Sequence, residues 1–313
     1  MSNEQGLRFS GVIPANILPL DHHLQIDERA YRAHLESLVS IEGVTAVTSN
    51  GHAGEVSSLD REERRRALAL AVETVAGRVP VIAGVFAENS RDAAVLARDA
   101  AAEGAGGLLV FPPSVLGYGA PEGTAYRQFA GIAEAVTLPL VVFEFPAWSG
   151  LQYDVDTLLE ICEVPTVCAV KEWSLDIRVH ERNLAAIRSV GRPIAMLTSF
   201  STNLLPALIA GADGILSGHG SVAAALHVEL FDAVQERRLA DAQALYARLQ
   251  HLTAVIYKPP MFNMYARMKE QLVMLGHDLH PAVRPPMVRV DEDERRALQQ
   301  ALVDAGLMPV GAR

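Results

Sequence analysis

The residue with the clearest chemical potential in this sequence is a lysine at the end of an apolar run. Lysine and arginine together number 27, and three of these are lysines: Lys171, Lys258 and Lys269. Lys171 directly follows the apolar residues Val-Cys-Ala-Val. Burial lowers the pKa of a lysine, and the neutral amine attacks a ketone or aldehyde to form a Schiff base. The alternative is a structural lysine, ion-paired with Glu172 or Glu55.

Regularly spaced apolar runs indicate the elements that position this lysine. Short segments rich in Val, Ile and Leu alternate with helical patterns, as expected for parallel strands covered on both faces. The predicted strands cover residues 11–15, 44–49, 79–84, 107–111, 138–143, 166–171, 193–198 and 214–217. Eight such β-α repeats predict an α/β fold, a (β/α)8 TIM barrel, in which catalytic residues lie at the carboxyl ends of strands. Lys171 ends the sixth predicted strand.

The chain beyond the eighth predicted strand has a different pattern. It is helical throughout, with predicted helices over residues 222–236, 239–255, 263–275 and 293–305. We therefore predict a barrel over residues 1–222 and a C-terminal helical region over 223–313 that packs on it. A doubly wound open sheet is the alternative architecture, but the turn after the first strand lacks the glycine-rich fingerprint of that fold.

Composition excludes several classes of function. The net charge of −10 argues against nucleic acid or an anionic membrane as the main partner. No apolar run approaches the roughly 20 residues of a membrane-spanning helix, and the N-terminus lacks the pattern of a signal peptide. The two cysteines cannot form a disulfide framework, and no Cys/His spacing suggests a zinc site. We expect a cytoplasmic globular protein that uses no metal or cofactor.

Several motifs resemble those of a known family. Gly51, His52, Ala53, Gly54 and Glu55 are similar to a Gly-Thr-Thr-Gly-Glu motif of dihydrodipicolinate synthases and N-acetylneuraminate lyases. Further matches, in register and in order from about residue 9 to 307, are Pro112-Pro113, residues 143–150, Lys171-Glu172 and Arg284-Pro285-Pro286. The chain is identified by these motifs as a divergent member of this class I Schiff-base aldolase family.

The resemblance implies a function for the matching residues. Lys171 would form the imine with pyruvate or another α-keto acid, and the backbone amides of His52 and Ala53 would bind the carboxylate. Glycine at 51 and 54 would let the backbone approach the ligand closely. Ser199 and Phe200 fall in the loop after the seventh strand, where the family contacts its substrate. The family also implies a homodimer or homotetramer.

The sequence departs from the family pattern at positions that carry the chemistry. Phe143 replaces a tyrosine that relays protons beside the lysine, and Trp148 replaces an arginine that binds the second substrate. These changes argue against lysine-pathway synthase activity and give the second-substrate pocket an aromatic face. Imine chemistry still requires proton transfer. The candidates are His52, favoured by its near-neutral unperturbed pKa, then Glu144 and Ser199.

The residues and the resemblance together favour a Schiff-base lyase. It would be an aldolase, dehydratase or hydratase-aldolase that acts on pyruvate or a 2-keto-3-deoxy acid, with a slight preference for apolar or aromatic keto acids. The alternative is a binding or regulatory barrel that binds an α-keto acid without turnover. A third interpretation takes the turn at residues 218–221 as a phosphate-binding loop of a barrel enzyme without imine chemistry.

Overall fold

Eight parallel strands form a barrel in the computed structural model, which describes residues 9–199 and 201–309. The sheet order is β1-β8-β7-β6-β5-β4-β3-β2, and parallel bridges from Val12 to Val44 and from Ala15 to Thr48 join β1 to β2. The barrel is therefore closed, and the predicted TIM barrel is confirmed. The strands are β1 (Gly11–Pro14), β2 (Val47–Ser49), β3 (Val81–Val85), β4 (Gly107–Val110), β5 (Leu140–Glu144), β6 (Val167–Glu172), β7 (Ala195–Thr198) and β8 (Gly214–Ser217).

Helices alternate with the strands and then continue beyond them. Those that follow the strands are α1 (Glu28–Val39), α2 (Arg61–Val75), α3 (Ser90–Ala102), α4 (Thr124–Ala135), α5 (Val155–Cys162), α6 (Ile177–Ser189), α7 (Leu204–Ala210) and α8 (Gly220–Gln235). Three more make up the C-terminal helical region: α9 (Leu239–Ile256), α10 (Met264–Met274) and α11 (Glu292–Asp304). The predicted C-terminal helices are thus confirmed to within about two residues at each end.

Polar caps fix where the helices begin. Asp60 accepts a hydrogen bond from the backbone of Glu63, and the Glu63 side chain accepts one from the backbone of Asp60, which together make a capping box at the start of α2. Asn89 caps α3 by accepting a hydrogen bond from the Asp92 amide. These caps set the helix positions relative to the strand ends that carry the site.

Side chains on β5 and β6 alternate between two separate apolar layers. Val141 and Phe143 belong to the cluster inside the barrel, whereas Val142 packs in the outer cluster between the strands and the helices. On β6, Ala169 is inside and Val170 outside. Because this alternation has a period of two, Lys171 faces the lumen and its sequence neighbour faces the helices.

The boundary predicted between residues 222 and 223 falls within α8. This helix has a kink at Ala223, whose φ of −126° and ψ of 36° are not helical. Beyond the kink, Val228 packs tightly against Gly43, which lies shortly before β2. A Cβ at Gly43 would lie 2.5 Å from Val228 Cγ1. Helix α8 thus contacts the barrel beyond residue 222 as well, and the division at that residue stays a prediction. Among the described residues, no helix is both long and apolar enough to cross a bilayer.

Candidate active site

Lys171 lies in the lumen near the carboxyl end of β6. Its partners in register are Phe143 on β5 and Leu197 on β7, both apolar. The side chain is 3% exposed, and its Nζ lies 3.7 Å from the centroid of the Phe143 ring. Burial lowers the pKa of Lys171 to about 7. Near neutral pH a large share of this amine is therefore uncharged, which is the form that attacks a carbonyl carbon.

Both carboxylates that a structural lysine would use are engaged elsewhere. Glu172 faces the outer layer, where it accepts a hydrogen bond from the Ser174 amide at 2.7 Å and bonds to His180 Nδ1 at 3.0 Å. Glu55 forms a buried ion pair with Lys269. Across the described ranges 9–199 and 201–309, Lys171 makes neither an ion pair nor a hydrogen bond with the protein. The geometry does not support the structural alternative.

A small cleft above Lys171 gathers most of the residues that the sequence singled out. Its roughly 290 Å³ of empty space includes open solvent at the mouth, so the enclosed part is much smaller. Of the predicted site residues it brings together His52, Ala53, Phe143, Lys171 and Ser199. The remaining lining residues are Ala15, Trp173, Gly218, Tyr257 and Met264.

The loop after β2 lines this cleft and carries two backbone donors that no described protein group uses. Its turn is closed by hydrogen bonds from the Gly54 amide to Gly51 O and from the Glu55 amide to His52 O. Within the part of the chain that the structure describes, the amides of His52 and Ala53 donate to no protein group. Two adjacent unpaired N–H groups suit a carboxylate, whatever side chains they carry.

The two loop glycines differ in what a side chain would meet. A Cβ at Gly54 would lie 3.3 Å from the backbone oxygen of Asn16, so this glycine serves packing against the chain after β1. A Cβ at Gly51 would make ordinary contacts with Ala15, a cleft residue, and with Thr48 at 3.7 and 3.8 Å. The close approach to a ligand expected at both glycines stays a prediction.

Glu55 connects the same loop to the C-terminal helical region. Lys269 on α10 donates to Glu55 and, at 2.7 Å, to the backbone oxygen of Ala282. The Arg284 amide donates to the second carboxylate oxygen of Glu55 at 3.2 Å. The Arg284 guanidinium donates to the Ser58 oxygen at 2.8 Å. Arg284 and Glu55 are thus positioning groups that hold the amide-bearing loop in place.

His52 lies among aromatic rings rather than in a polar setting. Its ring stacks on Phe145 with centroids 5.3 Å apart and meets Phe111 and Phe143 edge-on at 5.2 and 5.6 Å. Burial, with a smaller contribution from the charge of Lys171, lowers the pKa of His52 to about 3. The near-neutral unperturbed pKa that favoured His52 as the proton-transfer group therefore does not apply in this setting. A neutral imidazole of this kind cannot act as a general acid at neutral pH.

The structure places Glu144 outside the cleft. It lies beside Glu172 on the outer face of the barrel, is fully buried, and accepts a hydrogen bond from the Tyr153 amide at 3.4 Å. Burial and the neighbouring Glu172 raise the pKa of Glu144 well above its usual value. Side-chain alternation directs it away from Lys171, so its assignment as a proton-transfer residue is corrected.

Trp148 does not contribute to the cleft either. Trp148 lies in a 3-10 turn, Ala147–Ser149, and is 63% exposed. The aromatic face expected from Trp148 is supplied instead by Trp173, which follows β6 and lines the cleft. Phe200 lies outside the described residues.

Tyr257 is a cleft residue that the sequence did not reveal. It caps the C-terminal end of α9, so it reaches the barrel mouth from outside the β-α repeat. Ser201, Ser217 and the His219 backbone lie close enough to its hydroxyl to lower the pKa of the phenol, against the larger effect of burial. An adjoining chamber, open to solvent, shares Tyr257 and Trp173 with the cleft. The other residues around this chamber are Leu175, Ser201, Thr202 and Met261.

The turn after β8 is packed as a structural element. Ser221 Oγ donates to Ala15 O at 2.9 Å and accepts from the Ile17 amide at 3.0 Å. A Cβ at Gly220 would lie 3.1 Å from Pro14 Cα. These contacts occupy the turn with the chain that follows β1, so it does not offer the open anion cradle of the phosphate-binding interpretation.

The fold and the cleft together define a class: a (β/α)8 barrel with a buried lysine that, among the described residues, has no ion-pair or hydrogen-bond partner, and that shares its cleft with a loop whose backbone amides are free. The model of the dihydrodipicolinate synthetase family matches residues 8–305. The chain belongs to this family, and at that level it is a lyase-type protein of the Schiff-base aldolase superfamily.

Relatives of this chain support the same assignment. It is 30% identical to a 4-hydroxy-tetrahydrodipicolinate synthase of Gluconacetobacter diazotrophicus over 302 residues, which cover 96% of this chain and 98% of that protein. It is 31% identical to an uncharacterized DapA-like lyase of Halobacterium salinarum, over 96% of both chains. The crystal structure of YagE from E. coli K12 in complex with pyruvate superposes with a TM-score of 0.88 at 25% identity, and covers 96% of this chain and 99% of that one.

Proposed function

We propose that this protein is a Schiff-base lyase that forms an imine between Lys171 and pyruvate or a 2-keto-3-deoxy acid. The observation that carries the proposal is the pairing of two features across one cleft. A buried lysine without a partner, with a pKa of about 7, faces a loop with two unpaired amides. The amine supplies the nucleophile, and the amides of His52 and Ala53 supply the site for the carboxylate.

The surroundings of the amine favour an apolar aldehyde fragment over a polyhydroxylated one. Trp173, Leu175 and Met261 supply apolar walls to the chamber that adjoins the cleft. Phe143 and His52 close the inner side with rings. Ser201, Thr202 and Tyr257 add hydroxyls to the lining of this chamber. Its apolar walls suit an aryl or alkyl substituent better than a sugar chain, whose hydroxyls they would leave unpaired. We therefore assign the reaction as aldol cleavage or hydratase-aldolase cleavage of an apolar or aromatic keto acid.

Release of pyruvate measures this activity directly. The assay compares a 4-hydroxy-2-oxo acid that carries a phenyl group with one that carries a polyhydroxy chain, and couples pyruvate to lactate dehydrogenase. We expect kcat/KM to be about tenfold or more higher for the phenyl compound, the size of effect that an apolar pocket gives. Lys171→Ala should abolish release from both. A preference for the polyhydroxy compound would contradict the assignment of substrate.

The second candidate function is a binding barrel that forms the imine without turnover. Two observations favour it: Phe143 carries no hydroxyl, and His52 is held neutral. Borohydride trapping run beside the release assay separates the two. Trapping of pyruvate on Lys171 with no release from any keto acid tested would support the binding barrel. Trapping with release would support the lyase.

The predicted homodimer or homotetramer remains part of the proposal, and sedimentation velocity tests it.

A further inference from the structure

The cleft needs a group that moves protons, and the residues expected to do so are unsuited. Phe143 has no hydroxyl, His52 has a pKa of about 3, and Glu144 lies on the outer face of the barrel. Ser199 lines the cleft, but its hydroxyl has no basic group as a hydrogen-bond partner among the described residues. An alcohol without such a partner is a poor acid or base.

Tyr257 differs from these residues in both place and partners. It lines the same cleft as Lys171, and a Cβ at Gly218 would lie 3.8 Å from its hydroxyl oxygen. The same hypothetical Cβ would lie 3.1 Å from Ala53 Cβ, so the phenol and the amide-bearing loop border the same small space beside Gly218. The phenol thus lies near the expected position of the keto-acid carboxylate, in the cleft that Lys171 also lines.

A chain of hydroxyl groups connects this phenol with the outer chamber. Ser201 and Ser217 lie close enough to the Tyr257 hydroxyl to lower the pKa of the phenol, and their own Oγ atoms lie 3.2 Å apart. Both serines are buried, and the His219 amide donates to Ser217 Oγ at 3.2 Å, which fixes one lone pair of that oxygen. Ser201 also lines the outer chamber. A proton lost from the phenol can therefore be replaced through Ser201 from that side.

We propose that Tyr257, supported by Ser201 and Ser217, is the proton-transferring residue of this cleft and takes the place of the hydroxyl that Phe143 lacks. This inference rests on the proposed imine chemistry at Lys171. It assigns proton transfer to a residue of the C-terminal helical region, not to a barrel strand. Burial raises the pKa of the Tyr257 phenol, so it enters the reaction protonated at neutral pH.

The proposed steps balance in atoms and charge. The neutral Lys171 amine adds to the C2 carbonyl, and transfer of one amine proton to the oxygen gives a carbinolamine. Tyr257 then donates its proton to the carbinolamine hydroxyl, the C–O bond breaks, and water leaves as the nitrogen lone pair forms the iminium. The phenolate next takes a proton from C3, which gives the enamine and restores the phenol. The net reaction is keto acid plus amine to enamine plus water.

Two readouts on the same samples test this role. In D2O, loss of the pyruvate methyl signal by proton NMR follows proton exchange at C3, and borohydride reduction after long incubation measures how much imine exists at equilibrium. For Tyr257→Phe we expect exchange to slow by about a hundredfold, the usual contribution of a general acid or base. The trapped fraction at equilibrium should remain close to that of the wild type.

A matched control is available in Tyr153, a buried phenol on the outer side of the barrel. Tyr153→Phe removes the same atom and should leave exchange within about twofold of the wild type. If Tyr257→Phe is poorly folded by circular dichroism, Ser217→Ala and Ser201→Ala keep the phenol ring in place, and slower exchange with normal trapping is expected for both.

The outcomes separate this inference from the proposed function. Normal trapping with slow exchange in Tyr257→Phe supports the role of the phenol. Wild-type exchange rates in Tyr257→Phe, or in both serine variants where that variant does not fold, would overturn it while trapping still supports the lyase. Absence of trapping in the wild type would overturn the imine chemistry and this inference with it.

Discussion

Two of the three lysines are buried, and they occupy opposite environments. Lys269 extends from α10 to the loop after β2. It is fully buried and donates to Glu55 and to the Ala282 oxygen. Lys171 lies against Phe143 without a protein partner across the described residues, and opens onto a cleft. Burial lowers the pKa of both lysines, but Glu55 opposes this effect at Lys269.

The difference shows that burial alone does not mark a reactive lysine. A buried ion pair is retained because removal of one partner leaves an uncompensated charge, which is costly. A buried lysine without a partner has no such structural use, and its retention in an apolar lumen points to chemistry. The contrast yields four predictions, from the largest expected effect to the smallest.

Replacement of the unpaired lysine should remove function and spare the fold. For Lys171→Met we expect the rate of pyruvate release to fall by about a thousandfold or more, because the nucleophile is lost. The free energy of unfolding at pH 7 should be equal to or above that of the wild type, since the fold no longer holds an amine below its normal pKa. Chemical denaturation measures the second quantity. A marked loss of stability would indicate a structural lysine.

Replacement of the paired lysine should reduce the stability of the fold and spare imine formation. Lys269→Met leaves Glu55 buried without its cation, and we expect a loss of about 3–5 kcal/mol in the free energy of unfolding. Borohydride trapping per folded molecule should persist, although weakened carboxylate binding would raise the pyruvate concentration for half-maximal trapping, because Glu55 helps to hold the amide-bearing loop. An unchanged melting temperature would show that the ion pair between Lys269 and Glu55 contributes little to stability.

The pH dependence of imine formation should report the unpaired amine. With a pKa of about 7 for Lys171, the neutral fraction increases about tenfold per pH unit below that value and levels off above it. We expect the initial rate of trapping to rise between pH 5 and 7 and to reach a plateau near pH 8. A rate that continues to rise up to pH 10 would show that the amine has an ordinary pKa.

Glu144 should influence stability and leave the chemistry unchanged. Its pKa is raised in the folded state, so the carboxyl costs stability as pH rises above its unfolded value near 4.5. Glu144→Gln should therefore gain stability over the wild type at pH 7 and show little difference at pH 4. Thermal melts at the two pH values measure this. Borohydride trapping of pyruvate should remain within about twofold of the wild type. A tenfold loss of trapping would show that Glu144 takes part in the reaction.

Local patterns of apolar and polar residues predicted the strands and helices well, because each pattern reflects which side chains are buried along a single strand or helix. The eighth strand, residues 214–217, was predicted with its observed bounds. The second strand was predicted from residue 44 but begins at Val47, since Val44 makes a single bridge to Val12 and is not part of the continuous ladder. Apolar character shows that a residue is buried, but it does not show which backbone groups pair.

The candidate site was predictable only where it follows the β-α repeat. Lys171, Ser199 and the loop at 51–54 come directly after strands, so their place at the barrel mouth follows from the fold. Tyr257 comes from the end of a helix beyond the repeat, and no periodicity in the sequence indicates that this helix ends over the lumen. The low pKa of His52 was equally hidden, because it arises from aromatic rings contributed by separate segments.

The most direct test of the account is to find which lysine reacts. The wild-type protein is incubated with pyruvate, reduced with borohydride, digested and mapped by peptide mass spectrometry, so that Lys171, Lys258 and Lys269 are scored in one experiment. The account predicts a reduced pyruvyl adduct on Lys171, none on Lys269 and none above background on Lys258. An adduct mainly on Lys258 or Lys269, or an unmodified Lys171 at saturating pyruvate, would contradict the assignment of Lys171 as the imine-forming residue.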